Sequence, residues 1–215
     1  IVCLIGDILG AIAAGIVFCE QILVTGRASL VDLAFYGGDP CGPNSEVLQA
    51  RDSTTAIVSA YLTYALTNTL FIFCAAMATY LAPLAASSGL PPLKAFLNGV
   101  NVPELLSSAT LVAKVVGVTL VVSTGLPLGR EGPMVHTGAI VAARVTRAKL
   151  TLGRFRYVTP LETRVPSAQR NWVGIGCAAG IAAAFNAPLG GILYTFEEVT
   201  SHWNEKMTWR SFFCV

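Results

Sequence analysis

Gly129-Arg130-Glu131-Gly132-Pro133 sets two opposite charges and a helix-starting Gly-Pro pair inside one of the most hydrophobic regions of the chain. Residues 105–128 before it carry Lys114 as their only charge, and residues 134–143 after it carry none. A carboxylate at membrane depth is costly and reads by default as part of an ion or proton pathway. This one also stands at a helix start, where unpaired backbone N–H groups and the helix dipole favour anions. The stretch therefore points to a fold of interrupted membrane helices and makes Glu131 the place where its chemistry begins.

Composition agrees. Of 215 residues, 54% are hydrophobic and only 12% charged, with a mean hydropathy of +0.65; a soluble domain is about 25% charged. This is the balance of a polytopic membrane protein. A net charge of +2 is too small to suggest nucleic acid. Of six cysteines, Cys3, Cys19, Cys74, Cys177 and Cys214 lie in or beside apolar runs, and Cys41 alone lies in a polar loop, so no disulfide framework is expected. Residues 1–18 lack a basic leader and a cleavage site. The chain begins and ends within hydrophobic sequence, as expected of a piece of a longer protein.

Residues 1–24 form a Gly/Ala-rich apolar segment interrupted by Asp7 and Glu20, long enough to cross a bilayer. Residues 27–52 read as a polar loop. Residues 56–86 carry no charge and form the clearest span, with a break at Pro83. A short helix over 92–97 leads to the Asn98-Gly99 turn, and Pro103 opens a long helix through Val122. Another helix covers 133–147, a polar loop 146–170, and an uncharged stretch 171–196 is broken at Asn186-Ala187-Pro188. Every charge between residues 132 and 161 is basic: Arg144, Arg147, Lys149, Arg154 and Arg156. The positive-inside rule makes this loop cytoplasmic; the alternative is a solvated charge run without orienting power.

Three apolar regions are thus interrupted, at 87–92, 125–133 and 186–191. Irregular backbone at membrane depth survives only when buried in protein or lining a cavity, and broken helices whose N-termini face the bilayer centre are a recurring anion-site design. At the first break Ser88 offers a hydroxyl, and Gly89 and Leu90 offer backbone N–H groups, the neutral donors a dehydrated halide needs. The alternative for Ser88 is an N-cap serving only its own helix. At the second break the Glu131 carboxylate can occupy the anion's own position and vacate it when protonated; the alternative is a static ion pair with Arg130, which neighbouring side chains reach poorly. Glu197 and Glu198 end an apolar run where the helix dipole disfavours carboxylates; one can face an ion pair and the other an aqueous path, or both are interfacial acids. His136 reads as a buried histidine held by a hydrogen bond rather than a proton shuttle. His202 with Trp203 and Trp209 fits an interfacial belt, and Lys114 pairs internally or snorkels. No serine–histidine or metal-ligand pattern lies at workable spacing, so neither an enzyme, a metal nor a cofactor is expected.

Ser87-Ser88-Gly89-Leu90-Pro91, residues 94–100 (KAFLNGV), residues 129–136 (GREGPMVH) and residues 182–198 (AAAFNAPLGGILYTFEE) resemble the CLC family of voltage-gated chloride channels and chloride/proton exchangers. The resemblance implies an all-α polytopic membrane protein with broken, re-entrant helices. Residues 1–215 would be the first half of the family's inverted-repeat membrane domain, without the second repeat or the cytoplasmic regulatory domains. It implies that Ser88, Gly89, Leu90 and Gly132 bind the anion, that Glu131 is the gating glutamate, and that Glu198 matches the internal proton-transfer glutamate of the exchangers. Serine at 88 resembles chloride-preferring members. Ser87 in place of a usual glycine, and Pro92 in place of an acidic or amide residue, depart from the pattern and affect that helix start.

Chloride, protons and the lipid bilayer are the implied partners, with a homodimer as the assembly. Residues 197–213 look most like the lysosomal and plant vacuolar branch, which implies a lysosomal, vacuolar or endosomal membrane, with the plasma membrane as alternative. The expected function is half of a chloride/proton antiporter; the alternatives are a passive voltage-gated chloride channel and a truncated subunit that only assembles with partners.

Overall fold

In the computed structural model, residues 2–36, 53–147, 149–152, 155–158 and 165–215 are described. The first helix, α1 (Val2–Tyr36), has 35 residues, about 52 Å at 1.5 Å per residue and well beyond a ~30 Å hydrocarbon core. It therefore runs past the expected end near residue 24 and takes in the beginning of the expected polar loop. The reason is tertiary. Arg27, read as the start of that loop, donates from Nη1 to Asn68 Oδ1 at 2.9 Å and lies 5.1 Å over the Tyr64 ring. Both partners belong to α2 (Ser53–Leu81), so the charge is satisfied without ending the helix. The rest of that loop, with Cys41, lies outside the described residues.

α2 is apolar all round, and Tyr61, Leu66 and Leu81 are 69%, 73% and 80% exposed, the signature of a surface turned to lipid. Its hydroxyls are satisfied along the helix: Thr63 donates to the Ser59 carbonyl, Thr67 to that of Thr63 and Thr69 to that of Ala65. Val2–Ala34 and Thr55–Leu81 are both long and apolar enough to cross a membrane. Beyond a single 3₁₀ turn at Pro83–Ala85 come α3 (Leu90–Leu97), α4 (Ser108–Ser123) and α5 (Glu131–Arg147).

α4 begins five residues later than Pro103 suggests. Glu104 sits at φ 63°, the Leu105 carbonyl faces His136 Nε2 at 2.9 Å, and the Leu106 carbonyl accepts from Arg144 Nε at 3.2 Å. Carbonyls that an early helix would have used are taken by α5 side chains, and Ser107 caps the helix by accepting from the Ala109 N–H. The expected loop after α5 holds a small antiparallel hairpin, β1 (Lys149–Leu152) with β2 (Phe155–Val158), Lys149 opposite Val158. Apart from this hairpin the described fold is helical.

α6 (Pro166–Phe185) ends at Asn186 in the left-handed region. α7 (Pro188–Tyr194) runs into a π turn over Thr195–Val199, and α8 (Glu205–Cys214) closes the described chain. The centre is the α5–α6 pair. One side of it packs Val141, Val145, Trp172 and Ile175 against Ile5 and Leu9 of α1 and Met207 of α8. The other packs Val135, Ala139, Val173 and Cys177 against Leu93 of α3 and Val199 of the π turn. These two sets alternate along α5 with helical periodicity.

The two helices approach backbone to backbone: a Cβ at Gly138 would fall on the Gly176 carbonyl oxygen, and one at Gly180 on that of Met134. Gly138→Ala should therefore force α5 and α6 apart and destabilise the protein by about 1–3 kcal/mol, the range for overpacking. A lowered midpoint of thermal aggregation in detergent measures this, and an unchanged midpoint would contradict the packing.

Candidate anion site

Between Pro83–Ala85 and α3 the chain makes a left-handed turn at Gly89, φ 87°. A side chain is excluded there twice over, by the positive φ and by the His136 ring, whose Cγ would stand 2.6 Å from an added Cβ. α3 then starts with Pro91 in its first turn, where a missing N–H costs nothing. The Leu90 N–H reaches Ser88 Oγ at 3.4 Å, the long edge of hydrogen-bond geometry. Ser88 thus contributes weakly to its own helix start, and its residue is exposed. From beneath, the buried Lys114 of α4 donates from Nζ to the Ser87 carbonyl. Lys114 does pair internally, and the partner is the loop itself.

The second break lies directly against the first. A Cβ on Gly132 would stand 2.7 Å from Ser88 Cβ and 3.2 Å from the Ser88 carbonyl oxygen, so only glycine admits this contact. Glu131 is the first residue of α5 and is exposed. Its neighbour Arg130 turns away and donates from Nη1 to Glu20 Oε2 of α1 at 3.2 Å, so the static Arg130–Glu131 pair is not formed. Among the described residues no hydrogen bond or ion pair holds Glu131. Ser87, Ser88, Lys114, Gly129 and Pro133 also border a cleft of about 420 Å³ whose remaining walls are mostly apolar residues of α2 and α4.

At the other acidic position the π turn changes the register that α7 would have continued: the Thr200 N–H bonds the Thr195 carbonyl five residues back, at 3.0 Å. Glu198 faces α3, where Lys94 Nζ donates to Glu198 Oε1 at 2.8 Å. With side chains 40% and 55% exposed, the pair is worth under about 1 kcal/mol and opens easily. Glu197 is exposed and takes no part in that pair. Tyr194, on α7 just before the π turn, lies within electrostatic reach of Glu131, Glu198 and Lys94.

Of the residues the sequence nominates, Ser88, Gly89, Leu90, Glu131, Gly132 and Glu198, the structure brings the first five into one locus. Sequence reading missed Lys94 as the partner of Glu198 and Glu20 as the partner of Arg130. Lys94 and Glu20 were visible only as charges in apolar surroundings. The belt residues separate: His202 and Trp209 are exposed, whereas Trp203 packs edge-on to Phe196 and donates to Thr208 Oγ1 at 2.7 Å.

Residues 70–215 match the family described as voltage gated chloride channel. The chain belongs to this family, the CLC proteins. It is 45% identical over 156 residues to chloride channel protein D of Dictyostelium discoideum, covering 72% of this chain and 16% of that protein. It is 41% identical over 153 residues to H(+)/Cl(-) exchange transporter 7 of Mus musculus, covering 71% and 19%. Against chloride channel protein CLC-d of Arabidopsis thaliana it is 42% identical over 156 residues, covering 72% and 20%. The chain thus spans a fifth or less of the length of these three relatives. The crystal structure of a eukaryotic CLC transporter superposes with a TM-score of 0.71 at 26% identity, covering 99% of this chain and 36% of that one.

The Arg130–Glu20 pair is open to test by itself. A double-mutant cycle with Glu20→Gln and Arg130→Gln, read as thermal stability in detergent, should return a coupling of about 0.5–1 kcal/mol. Strictly additive effects would show that the pair does not hold the Gly129–Pro133 loop.

Proposed function

We propose that the chain forms half of a chloride/proton antiporter with a glutamate gate. The observation that carries this reading is the contact of Ser88 with Gly132 beside a Glu131 that its own neighbour Arg130 leaves unpaired. Two interrupted helices meet there, and the Ser88 hydroxyl with the N–H groups of Gly89, Leu90 and Gly132 would serve as neutral donors to the anion. A halide held by neutral donors can leave again, which turnover requires. The Glu131 carboxylate is a tethered competitor for the same helix start. Protonation removes its charge and frees the position for chloride, so one residue links proton uptake to anion movement.

Glu198, held by a partly exposed ion pair with Lys94, is the second proton station. Protons would pass between it and Glu131 past Tyr194, through intervening water. A passive chloride channel is the second reading, favoured by the names of two of the relatives above; the carboxylate at 198 speaks for exchange. A homodimer in an intracellular membrane, lysosomal, vacuolar or endosomal, completes the proposal. The compartment rests on the resemblance of residues 197–213, and chloride and protons are carried as substrates.

Flux measurements on proteoliposomes of the full-length protein containing this chain test the proposal. Glu131→Ala should abolish proton counter-movement while chloride still moves, and intact coupling would refute the gating role. Glu198→Val should likewise uncouple protons while sparing chloride flux; if coupling survives, the inner proton station lies elsewhere. Chloride current independent of protons in the unaltered protein would favour the channel.

A further inference from the structure

His136 lies beneath the Ser87–Leu90 loop with half of its polar capacity unused. It is fully buried in α5, with Nε2 at 2.9 Å from the Leu105 carbonyl oxygen. A carbonyl oxygen only accepts, so Nε2 carries the proton, and in the neutral ring Nδ1 is left as an acceptor. Among the described residues Nδ1 has no hydrogen-bond partner, and of the ring's atoms it is the nearest to where a Cβ on Gly89 would stand. A buried acceptor without a donor is disfavoured and calls for a reason. The ring supplies one by its place: it fills the space under the left-handed turn at Gly89, and Leu105, on the segment that precedes α4, holds it there.

We propose that His136 is the positioning residue of the anion loop. Locked as its Nε2–H tautomer by the Leu105 carbonyl, it supports the turn at Gly89 and so sets the direction of the Gly89 and Leu90 N–H groups. The inference rests on the anion-site reading above and adds to it a determinant of anion selectivity that touches no anion. Lys114 and His136 then share the work, one holding the Ser87 carbonyl and the other the turn that follows.

The test compares His136→Gln with His136→Leu in the full-length protein, since both fill the space and only the glutamine amide can donate to Leu105. The readouts are the chloride-over-nitrate flux ratio in proteoliposomes and the proton coupling. His136→Gln should keep the ratio within about twofold, while His136→Leu should lower it about fivefold, the scale of one hydrogen bond. Proton coupling should persist in both. Equal ratios in the two variants overturn the proposal. If His136→Leu does not assemble, His136→Met, which also fills the space without a donor, takes its place; a ratio equal to that of His136→Gln overturns the proposal as well. Ser88→Ala, measured alongside, separates the two levels: a ratio it leaves untouched refutes the anion-site reading, whatever His136 does.

Discussion

Backbone meets backbone at the centre of this protein, where a single added methyl group would collide with a carbonyl oxygen. Gly138 and Gly176 set that approach for α5 and α6, and Gly132 repeats it where α5 meets Ser88. With lipid outside, apolar burial alone gives helices little reason to associate, so close packing through small residues takes its place. The consequence for function is positional. α5 cannot move away from α6, and its first turn, with Glu131 and Gly132, is thereby held against the loop that precedes α3. The candidate site is thus held in place by close backbone packing.

The second constraint is charge in apolar surroundings. Isolated charges there are costly, and several of these find partners far away in sequence: Arg27 with Asn68 and the Tyr64 ring, Lys114 with the Ser87 carbonyl, Arg130 with Glu20, and Lys94 with Glu198. Two of these pairings steady the interrupted segments on either side of the site. Glu131 stands apart from them, at a helix start whose dipole suits an anion. Among the described residues this carboxylate has no ion pair, while the charges around it are compensated.

Much of this was legible beforehand. The breaks at Ser87–Pro92 and Gly129–Pro133 were visible because glycine and proline act locally, through φ and the missing N–H. The long apolar runs announced spans for the same local reason. The errors lie where a distant group intervened. α1 outran its expected end because Arg27 found α2, and α4 started late because His136 and Arg144 took the carbonyls of Leu105 and Leu106. The hairpin over residues 149–158 lacks the strong alternation that would have distinguished it from a polar loop.

By itself the sequence determined that the protein belongs in a membrane, that its helices are interrupted, and that a carboxylate stands at one of the interruptions. Composition, hydropathy and turn chemistry are properties of neighbouring residues, and they suffice for those conclusions. Only the tertiary structure decided that Ser88 touches Gly132, that Arg130 prefers Glu20 to the adjacent Glu131, and that Glu198 meets Lys94 across a π turn. Those are relations between residues remote in the chain. They follow from how closely the helices pack and from which charge can reach which partner, and spacing along a sequence carries neither distance.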